Sequence, residues 1–294
     1  MAAEGPDSVE QQSIRGLDID KTVKGFALID YTFKNECTVS TTSADSIRWY
    51  QETSTDLTAT SPQQVANISP LSTFPTLEPT WTRQTSYMRK YAAEGFISME
   101  DIKSADIDVI ARTLLRLTRA VTKQVDTRIY AVITEGVTAG VSPTNVQIAD
   151  IAQYWDTSSG SVVADLAGAK KLIYDYGYNP EGASLILHPT EYKLLIQWLI
   201  DYKGSSIPGF SSEKVRTGTV MNLMGLNVKV SPNATTDYAV VSVPQQGCSW
   251  KTYSGITSRA IDEPGIGTRL RVWEMGEAIL TDPKCVVILS GSTT

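Results

Sequence analysis

The sequence predicts an α+β protein whose central element is one long helix. Apolar residues recur in steps of three or four between Ile107 and Ile133, which is the period of a helix with one buried face. At about 1.5 Å per residue this helix would be roughly 40 Å long, well beyond the usual length in globular proteins. The stripe consists of Ile107, Ile110, Leu114, Leu117, Val121, Val125, Ile129 and Val132. A polar, β-prone segment precedes the helix and apolar strands follow it, which completes the α+β assignment.

The composition is that of a soluble globular chain. The 294 residues are 41% hydrophobic, and the mean hydropathy is -0.12. No run approaches the roughly 20 apolar residues that a membrane span needs, so no membrane partner is predicted. The first twenty or so residues are polar and acidic, which predicts no secretory signal. A net charge of -6 without a basic stripe argues against a dedicated nucleic-acid binder.

The N-terminal third predicts an arm, one strand and a long polar loop. Residues 1 to about 24 show no periodicity, and residues 26–33 are rich in β-formers. Residues 37–88 are dominated by Ser, Thr, Gln and Pro with scattered aromatics, so this stretch is too polar to form a hydrophobic core of its own. We expect hairpins and loops that lie on another surface, with disorder as the alternative.

Capping residues predict where the helices begin and end. Ser98-Met-Glu-Asp101 is typical of a helix start, and the long helix should end near Gly136. A second helix is predicted from Val162 to Tyr176, with Gly177 as its C-terminal glycine. A third is predicted over residues 189–201, where apolar side chains recur at helical spacing.

Apolar or alternating runs predict five strands in the second half of the chain. These strands are Ser184–His188, Leu226–Val230, Tyr238–Val243, Thr268–Met275 and Cys285–Leu289. Pro283 marks the turn between the last two.

The search for chemistry finds no recognisable active site. His188 is the only histidine and follows an apolar run, so triads and histidine metal sites lack their usual parts. Gly265-Ile-Gly267 lacks the third glycine and the following helix of a phosphate loop, which predicts a simple turn. Cys37, Cys248 and Cys285 are far apart and odd in number, so we expect buried or inert thiols. No catalytic residue, cofactor or metal is predicted, and the chain is not expected to be an enzyme.

Segments in a fixed order carry a resemblance to a known family. They are Asp106–Ile133 with Asp126 inside it, Leu185–Leu195, Gly225–Ser231 followed by Tyr238–Ser242, and Arg269–Leu289. In this order they resemble the spine helix, the axial-domain entry and paired strands, and the closing peripheral strands of a tailed-virus major capsid protein. That family, from bacteriophages or archaeal viruses, has the Hong Kong 97-like capsid fold.

The resemblance implies four parts of the chain. Residues 1–35 would form the N-terminal arm and first strand, and residues 36–95 the extended β-hairpin loop. Residues 96–140 and 262–294 would form the peripheral domain with its spine helix and strands, and residues 141–261 the axial α/β domain.

The resemblance also implies a structural, non-enzymatic function. Such a major capsid protein self-assembles into pentamers and hexamers of an icosahedral shell that encloses double-stranded DNA without sequence-specific binding. It is assembled in the host cytoplasm and located in the virion, with scaffold, portal and decoration proteins left open as further partners. No lysine occurs between Lys34 and Lys90, so the family's lysine cross-link from the extended loop is not expected.

The extended loop of this family lies across a neighbouring subunit, which implies intersubunit contacts by its large aromatics. The candidates are Trp49, Tyr50, Trp81 and Tyr87, because aromatic side chains concentrate interface energy. The alternative is that these aromatics pack on their own subunit.

Other classes of protein remain as alternatives. An encapsulin-like nanocompartment shares the fold and packages a cargo enzyme, but it favours an amphipathic N-terminal helix that residues 1–20 do not suggest. A tail-tube or decoration protein would be β-rich without a seven-turn helix. A soluble enzyme is disfavoured, because the sequence shows no recognisable active-site motif.

Overall fold

The helices of the computed structural model bear out the main elements predicted from the sequence. The structure describes residues 19–27, 31–52, 69–71, 73, 81–104, 109–138, 141–151, 153–202 and 222–291. The helices are α1 (19–27), α2 (Met99–Ser104), α3 (Val109–Ile133), α4 (Val162–Asp175) and α5 (Pro189–Gln197). A π-helical turn, Trp198–Tyr202, continues α5, and short 3-10 turns cover Lys34–Glu36 and Pro283–Cys285.

The strands form two larger sheets and one two-stranded ribbon. They are β1 (Thr38–Thr41), β2 (Ser46–Glu52), β3 (Trp81–Tyr87), β4 (Arg89–Ser98), β5 (Gln147–Asp150), β6 (Ser184–Leu187), β7 (Asn222–Leu223), β8 (Leu226–Val230), β9 (Tyr238–Ser242), β10 (Cys248–Glu263), β11 (Gly267–Leu280) and β12 (Val286–Ser290). The four-stranded sheet has the order β1-β10-β11-β4, and the six-stranded sheet the order β5-β12-β9-β6-β8-β7. In the ribbon, β2 pairs antiparallel with β3.

The long helix is present as the apolar stripe predicts. Helix α3 has 25 residues, while residues 105–108, including Ile107 of the stripe, lie outside the described part of the chain. Val121, Val125 and Ile129 of the stripe are buried, and the arginines on the other side are mostly exposed. The helix packs across β4 and β11. It comes so near β4 that a Cβ added at Gly95 would lie 3.0 Å from Cγ2 of Thr113.

The central strands β6, β9 and β12 of the six-stranded sheet are buried on both faces. Ile186, Val240 and Ile288 pack into a first core, which they share with α3 and the four-stranded sheet. Their chain neighbours, such as Leu187 and Val241, point the other way into a second core with α4 and α5. Side chains alternate between the two faces of a strand, so burial of both faces explains why these strands are continuous apolar runs.

The predicted first strand at residues 26–33 is wrong in the described residues. Residues 19–27 are helical, and Ile19, Val23 and Ala27 recur at the spacing of one helix face that packs into the first core. Residues 31–33 belong to no strand and lead into the 3-10 turn Lys34–Glu36.

The pairing of two strands differs from the domain division that the resemblance implies. Strand β10, placed mostly within residues 141–261, pairs with β11 in the four-stranded sheet. Strand β12, placed within residues 262–294, pairs with β9 and β5 in the six-stranded sheet. The division into four parts stays a prediction.

Candidate functional site

The two-stranded ribbon presents one face inward and the other to solvent. Ser46 lies opposite Tyr87, and Tyr50 lies on the same strand four residues after Ser46. Since residues two apart share a face of a strand, Tyr50 and Tyr87 lie on the same face of the ribbon. Trp49 is on the opposite face. A two-stranded ribbon is marginal in water on its own, so its contacts decide whether it holds its shape.

The inward face holds the ribbon to its own subunit. The indole Nε1 of Trp49 donates a hydrogen bond of 3.0 Å to the backbone carbonyl of Leu280, at the end of β11. Gln51, on the same face, is buried to 4% exposure. Trp49 is therefore bonded within its own subunit, in keeping with the alternative stated for the aromatics.

The outward face carries two large exposed rings. Tyr50 is 61% exposed and Tyr87 is 73% exposed. The backbone of Trp81 begins β3, but its side chain lies outside the described part of the structure. Exposed tyrosines on one face of an extended ribbon supply apolar area and a polar hydroxyl, the combination that is enriched at protein interfaces.

A second feature, which we call the junction, is formed by residues 31–37 where they cross helix α3. The carboxylate of Asp126 on α3 accepts backbone N–H bonds from Thr32 at 2.7 Å and from Lys34 at 3.2 Å. Burial raises the pKa of Asp126 to about 6, although these backbone hydrogen bonds oppose the rise. The ring of Phe33 packs 5.2 Å from that of Tyr130, one helical turn along.

The junction also binds residues 31–37 to strand β11. The carboxylate of Glu274 is fully buried, accepts a hydrogen bond from the hydroxyl of Tyr31 and pairs with the ammonium of Lys34. Burial, followed by the charge of Glu274, raises the pKa of Tyr31, so the phenol keeps its proton. A buried charge without a counter-charge is costly, and removal of Lys34 would leave Glu274 with only the hydrogen bond from Tyr31.

The third set of junction contacts reaches the six-stranded sheet. Glu36, which is 2% exposed, accepts a hydrogen bond of 3.0 Å from Ser184 on β6 and pairs with Lys229 on β8. Residues 31–37 therefore contact the spine helix, the four-stranded sheet and the six-stranded sheet at once.

A separate buried ion pair braces the spine helix against the four-stranded sheet. Glu277 on β11 is fully buried and accepts bonds from Arg128 Nε at 2.8 Å and Nη2 at 2.5 Å. Arg89 on β4 lies 3.2 Å from the other oxygen of Glu277. The carboxylate of Glu277 therefore joins α3, β4 and β11.

The histidine and the cysteines, whose side chains could carry chemistry, cap a helix or lie in the interior. His188 caps helix α5, where its Nδ1 accepts the backbone N–H of Thr190 at 3.3 Å. All three cysteines are buried, as expected. Within the described ranges, no group of three or more His, Cys, Asp or Glu side chains is arranged to hold a metal ion. Nor does any helix in those ranges have the length and hydrophobicity that a membrane span requires.

The long helix packed across the four-stranded sheet, the six-stranded sheet and the outward-facing ribbon together have the Hong Kong 97-like capsid fold. The family model described as "Phage capsid protein" matches residues 84–289, which is well over half of the sequence. The chain belongs to this family. The predicted resemblance to the major capsid proteins of tailed viruses is confirmed, as is the predicted fold class.

Several solved structures share the fold across 90–94% of this chain. The virus-like particle from Pyrococcus furiosus has 11% identity and a TM-score of 0.62, covering 94% of this chain and 99% of that one. The capsid of cyanophage P-SCSP1u has 15% identity and a TM-score of 0.63, with coverages of 90% and 89%. A structure from Mycobacterium phage Bobi has 17% identity and a TM-score of 0.59, with coverages of 92% and 91%. A comparison with curated protein sequences gives no match.

Most of the junction is not predicted from the sequence, although the pattern of β11 indicates that Glu274 is buried. Leu270, Val272 and Glu274 occupy alternate positions of β11, and all three are fully buried. An acid in register with two apolar residues therefore indicates a buried carboxylate that needs a partner. No comparable pattern marks Glu36 or Lys34, whose partners are distant in sequence.

Proposed function

We propose that this capsid protein assembles as pentamers and hexamers into an icosahedral shell that encloses a double-stranded DNA genome. The family match over residues 84–289 is the observation that carries the proposal. The capsid of cyanophage P-SCSP1u supports a shell, because its fold covers 90% of this chain. Under this proposal the protein is a non-enzymatic component of the virion and is assembled in the host cytoplasm.

The ribbon supplies a contact between neighbouring subunits. Tyr50 and Tyr87 point away from the subunit, so a neighbour is able to bury both rings together. Trp49 fixes the middle of the ribbon to Leu280 of its own chain, which sets the direction in which the outward face points. Trp81 remains a contact candidate at the beginning of β3. Burial of a rigid aromatic pair costs little conformational entropy, which favours a specific contact.

The shell is held together without covalent bonds between subunits. The sequence has no lysine between Lys34 and Lys90, so the extended loop lacks the amine that a lysine cross-link would use. A net charge of -6 repels the DNA backbone on average, so the shell contains the genome without sequence-specific binding. Many interfaces of modest size then make the assembly cooperative.

Electron microscopy of the purified full-length protein tests the proposal. We expect icosahedral particles, tens of nanometres wide, in negative stain, and particles isolated from an infected host should carry nuclease-protected DNA. A dispersed monomer under all conditions would contradict shell formation. Particles that hold an enzyme in place of DNA would support the encapsulin-like alternative.

A denaturing gel tests the absence of cross-links separately. Particles boiled in detergent with a reductant should give a single band at the subunit mass of 32.1 kDa. A ladder of multiples of that mass would show covalent bonds between subunits.

A further inference from the structure

Two of the three cysteines meet inside the first core. Sγ of Cys37 lies 2.6 Å from Sγ of Cys248, and the two residues are 3% and 5% exposed. Cys285 packs in the second core, on the other side of the six-stranded sheet. We propose that Cys37 and Cys248 form a reversible disulfide within the subunit that locks the N-terminal segment to strand β10.

The backbone already has the geometry that such a bond needs. Strands β1 and β10 are parallel, with Thr38 opposite Ser249 and Val39 opposite Trp250. Each cysteine directly precedes the first residue of this register, so the two lie opposite each other. Neighbouring strands are about 4.7–4.9 Å apart, within the usual Cα separation of about 4.4–6.8 Å for disulfides. The spacing of the two strands therefore suits the closed disulfide.

Hydrogen bonds on both sides of Cys37 hold it beside the turn before Cys248. The backbone N–H of Gln245 donates to the carbonyl of Glu36 at 2.7 Å. The hydroxyl of Thr38 donates to the carbonyl of Gln245 at 2.8 Å. These bonds keep the two thiols at a high effective concentration, which favours a bond between them over a bond to another molecule.

The same surroundings keep the pair reduced while the segment stays closed. The hydrogen bond with Cys248 and then burial raise the pKa of the Cys37 thiol, so little reactive thiolate is present. Strand β1, however, is a four-residue strand at the edge of its sheet. Local opening of a short edge strand exposes the thiols to a small oxidant.

The oxidant that we name is a low-molecular-weight disulfide such as oxidised glutathione. One cysteine thiolate attacks it, forms a mixed disulfide and releases one small thiol. The second thiolate attacks the protein sulfur of the mixed disulfide, closes the Cys37–Cys248 bond and releases the second small thiol. The two cysteines are oxidised, the small disulfide is reduced, and the two cysteine protons end on the released thiols.

The lock follows the redox state of the surroundings. A reducing cytoplasm keeps the pair as thiols, whereas an oxidising environment outside the cell favours the bond. The inference depends on the cysteine geometry and not on the proposed function. Because the bond joins two parts of one chain, it is compatible with a shell that lacks covalent bonds between subunits.

Alkylation and mass spectrometry of the full-length protein test the site. One sample is incubated with oxidised glutathione and one with dithiothreitol, and both are denatured and treated with N-ethylmaleimide. We expect one alkylated cysteine after oxidation, all three after reduction, and a digest peptide that joins Cys37 to Cys248. Three alkylated cysteines in both samples, a stable glutathione adduct, or a bond to Cys285 or to a second subunit would overturn the proposal.

Alanine variants test the locking effect. The bond closes a loop between residues 211 apart, so oxidised wild-type protein should melt roughly 5–10 °C above the reduced protein. This shift should vanish in Cys37→Ala and Cys248→Ala, and it should persist in Cys285→Ala, the matched control. A mapped Cys37–Cys248 bond without a melting shift would overturn the lock. If a variant does not fold, the peptide mapping on wild-type protein decides the proposal.

Discussion

The six-stranded sheet and the two-stranded ribbon are both held by backbone hydrogen bonds between strands, but they differ in how far their side chains are buried. In the sheet, β6 has a neighbour on each side and is buried throughout, from Ser184 to Leu187. In the ribbon, one face bonds to the subunit through Trp49, and the other exposes Tyr50 and Tyr87. Burial of apolar area stabilises the sheet within one chain, whereas the outward face of the ribbon has that stabilisation still available for a partner.

The comparison separates residues that stabilise the subunit from residues that we propose to contact a neighbouring subunit. A change in α3 or in the two larger sheets should lower the free energy of unfolding, and assembly should fail because the subunit does not fold. A change on the outward face of the ribbon should leave the free energy of unfolding almost unaltered.

The largest loss should follow a charge on the buried side of the spine helix. Val121→Asp places a carboxylate where the side chain is 2% exposed, so we expect a loss of more than about 4 kcal/mol in the free energy of unfolding. Circular dichroism and the yield of soluble protein measure it. Ala120→Asp, on the exposed side of the same helix, is the control and should cost less than about 1 kcal/mol. Equal losses in the two variants would contradict the burial of this face.

A smaller loss should follow a single added methyl group in the four-stranded sheet. A Cβ on Gly276 would lie 2.5 Å from Cζ2 of Trp250, which is fully buried, and 2.8 Å from the carbonyl of Lys251. Gly276→Ala should therefore cost about 2–3 kcal/mol in urea unfolding, the usual size of an overpacking effect. Gly255→Ala on β10 meets open space and should change stability by less than about 0.5 kcal/mol. A Gly276 variant as stable as its control would show that Trp250 moves aside freely.

The junction should show its effect as a pH dependence. Burial raises the pKa of folded Asp126 from 3.8 to about 6, so the folded state binds this proton more tightly than the unfolded state. The contribution of Asp126 to stability is therefore greatest below about pH 4 and declines as the pH rises through about 6. The stability of wild-type protein relative to Asp126→Asn should fall by about 2 kcal/mol between acid and neutral pH.

Urea unfolding at about pH 4.5 and about pH 7.5 makes this measurement. The control is Asp262→Asn, since Asp262 is exposed on β10 and is not part of the junction. A difference between wild type and Asp126→Asn that is the same at both pH values would refute the raised pKa.

The smallest effect on folding should accompany the largest effect on assembly. Tyr50→Ser with Tyr87→Ser removes two rings that are 61% and 73% exposed, so the melting temperature should hardly change. Particle yield in electron microscopy and size-exclusion chromatography should fall at least about tenfold, because each buried aromatic is worth about 1.4 kcal/mol or more at an interface. Tyr50→Phe with Tyr87→Phe keeps the rings and should keep the particles. Full assembly of the serine variant would exclude this face as a subunit contact.

The elements that the sequence predicts well are those with one dominant pattern. The stripe through Val121 and Val125 defines the spine helix, and Gly177, with φ of 80°, ends α4 where a C-terminal glycine is predicted. Ser98 accepts the backbone N–H of Asp101 at 3.0 Å, which is the predicted cap of α2. Helix periodicity, the positive φ at a helix C-terminus and the N-terminal cap each depend only on residues close together in the sequence.

The elements that the sequence does not predict depend on distant partners. Strand β10 is 16 residues long but is rich in Ser, Thr and charged residues, and its pairing with β11 includes register shifts. The junction joins residues near 34 to residues near 126 and 274, and no spacing rule links such positions. The ribbon aromatics are visible in the sequence, but only the register shows that Trp49 faces inward while Tyr50 and Tyr87 face outward.

The junction has a consequence for how the chain is made. Tyr31 bonds to Glu274, 243 residues later, so this contact forms only after nearly the whole chain has left the ribosome. Contacts of such high sequence separation slow folding, because a long loop must close before they contribute. A nascent or truncated chain lacks the segment that completes the frame. Strand β11 must therefore be translated before residues 31–37 can complete the junction.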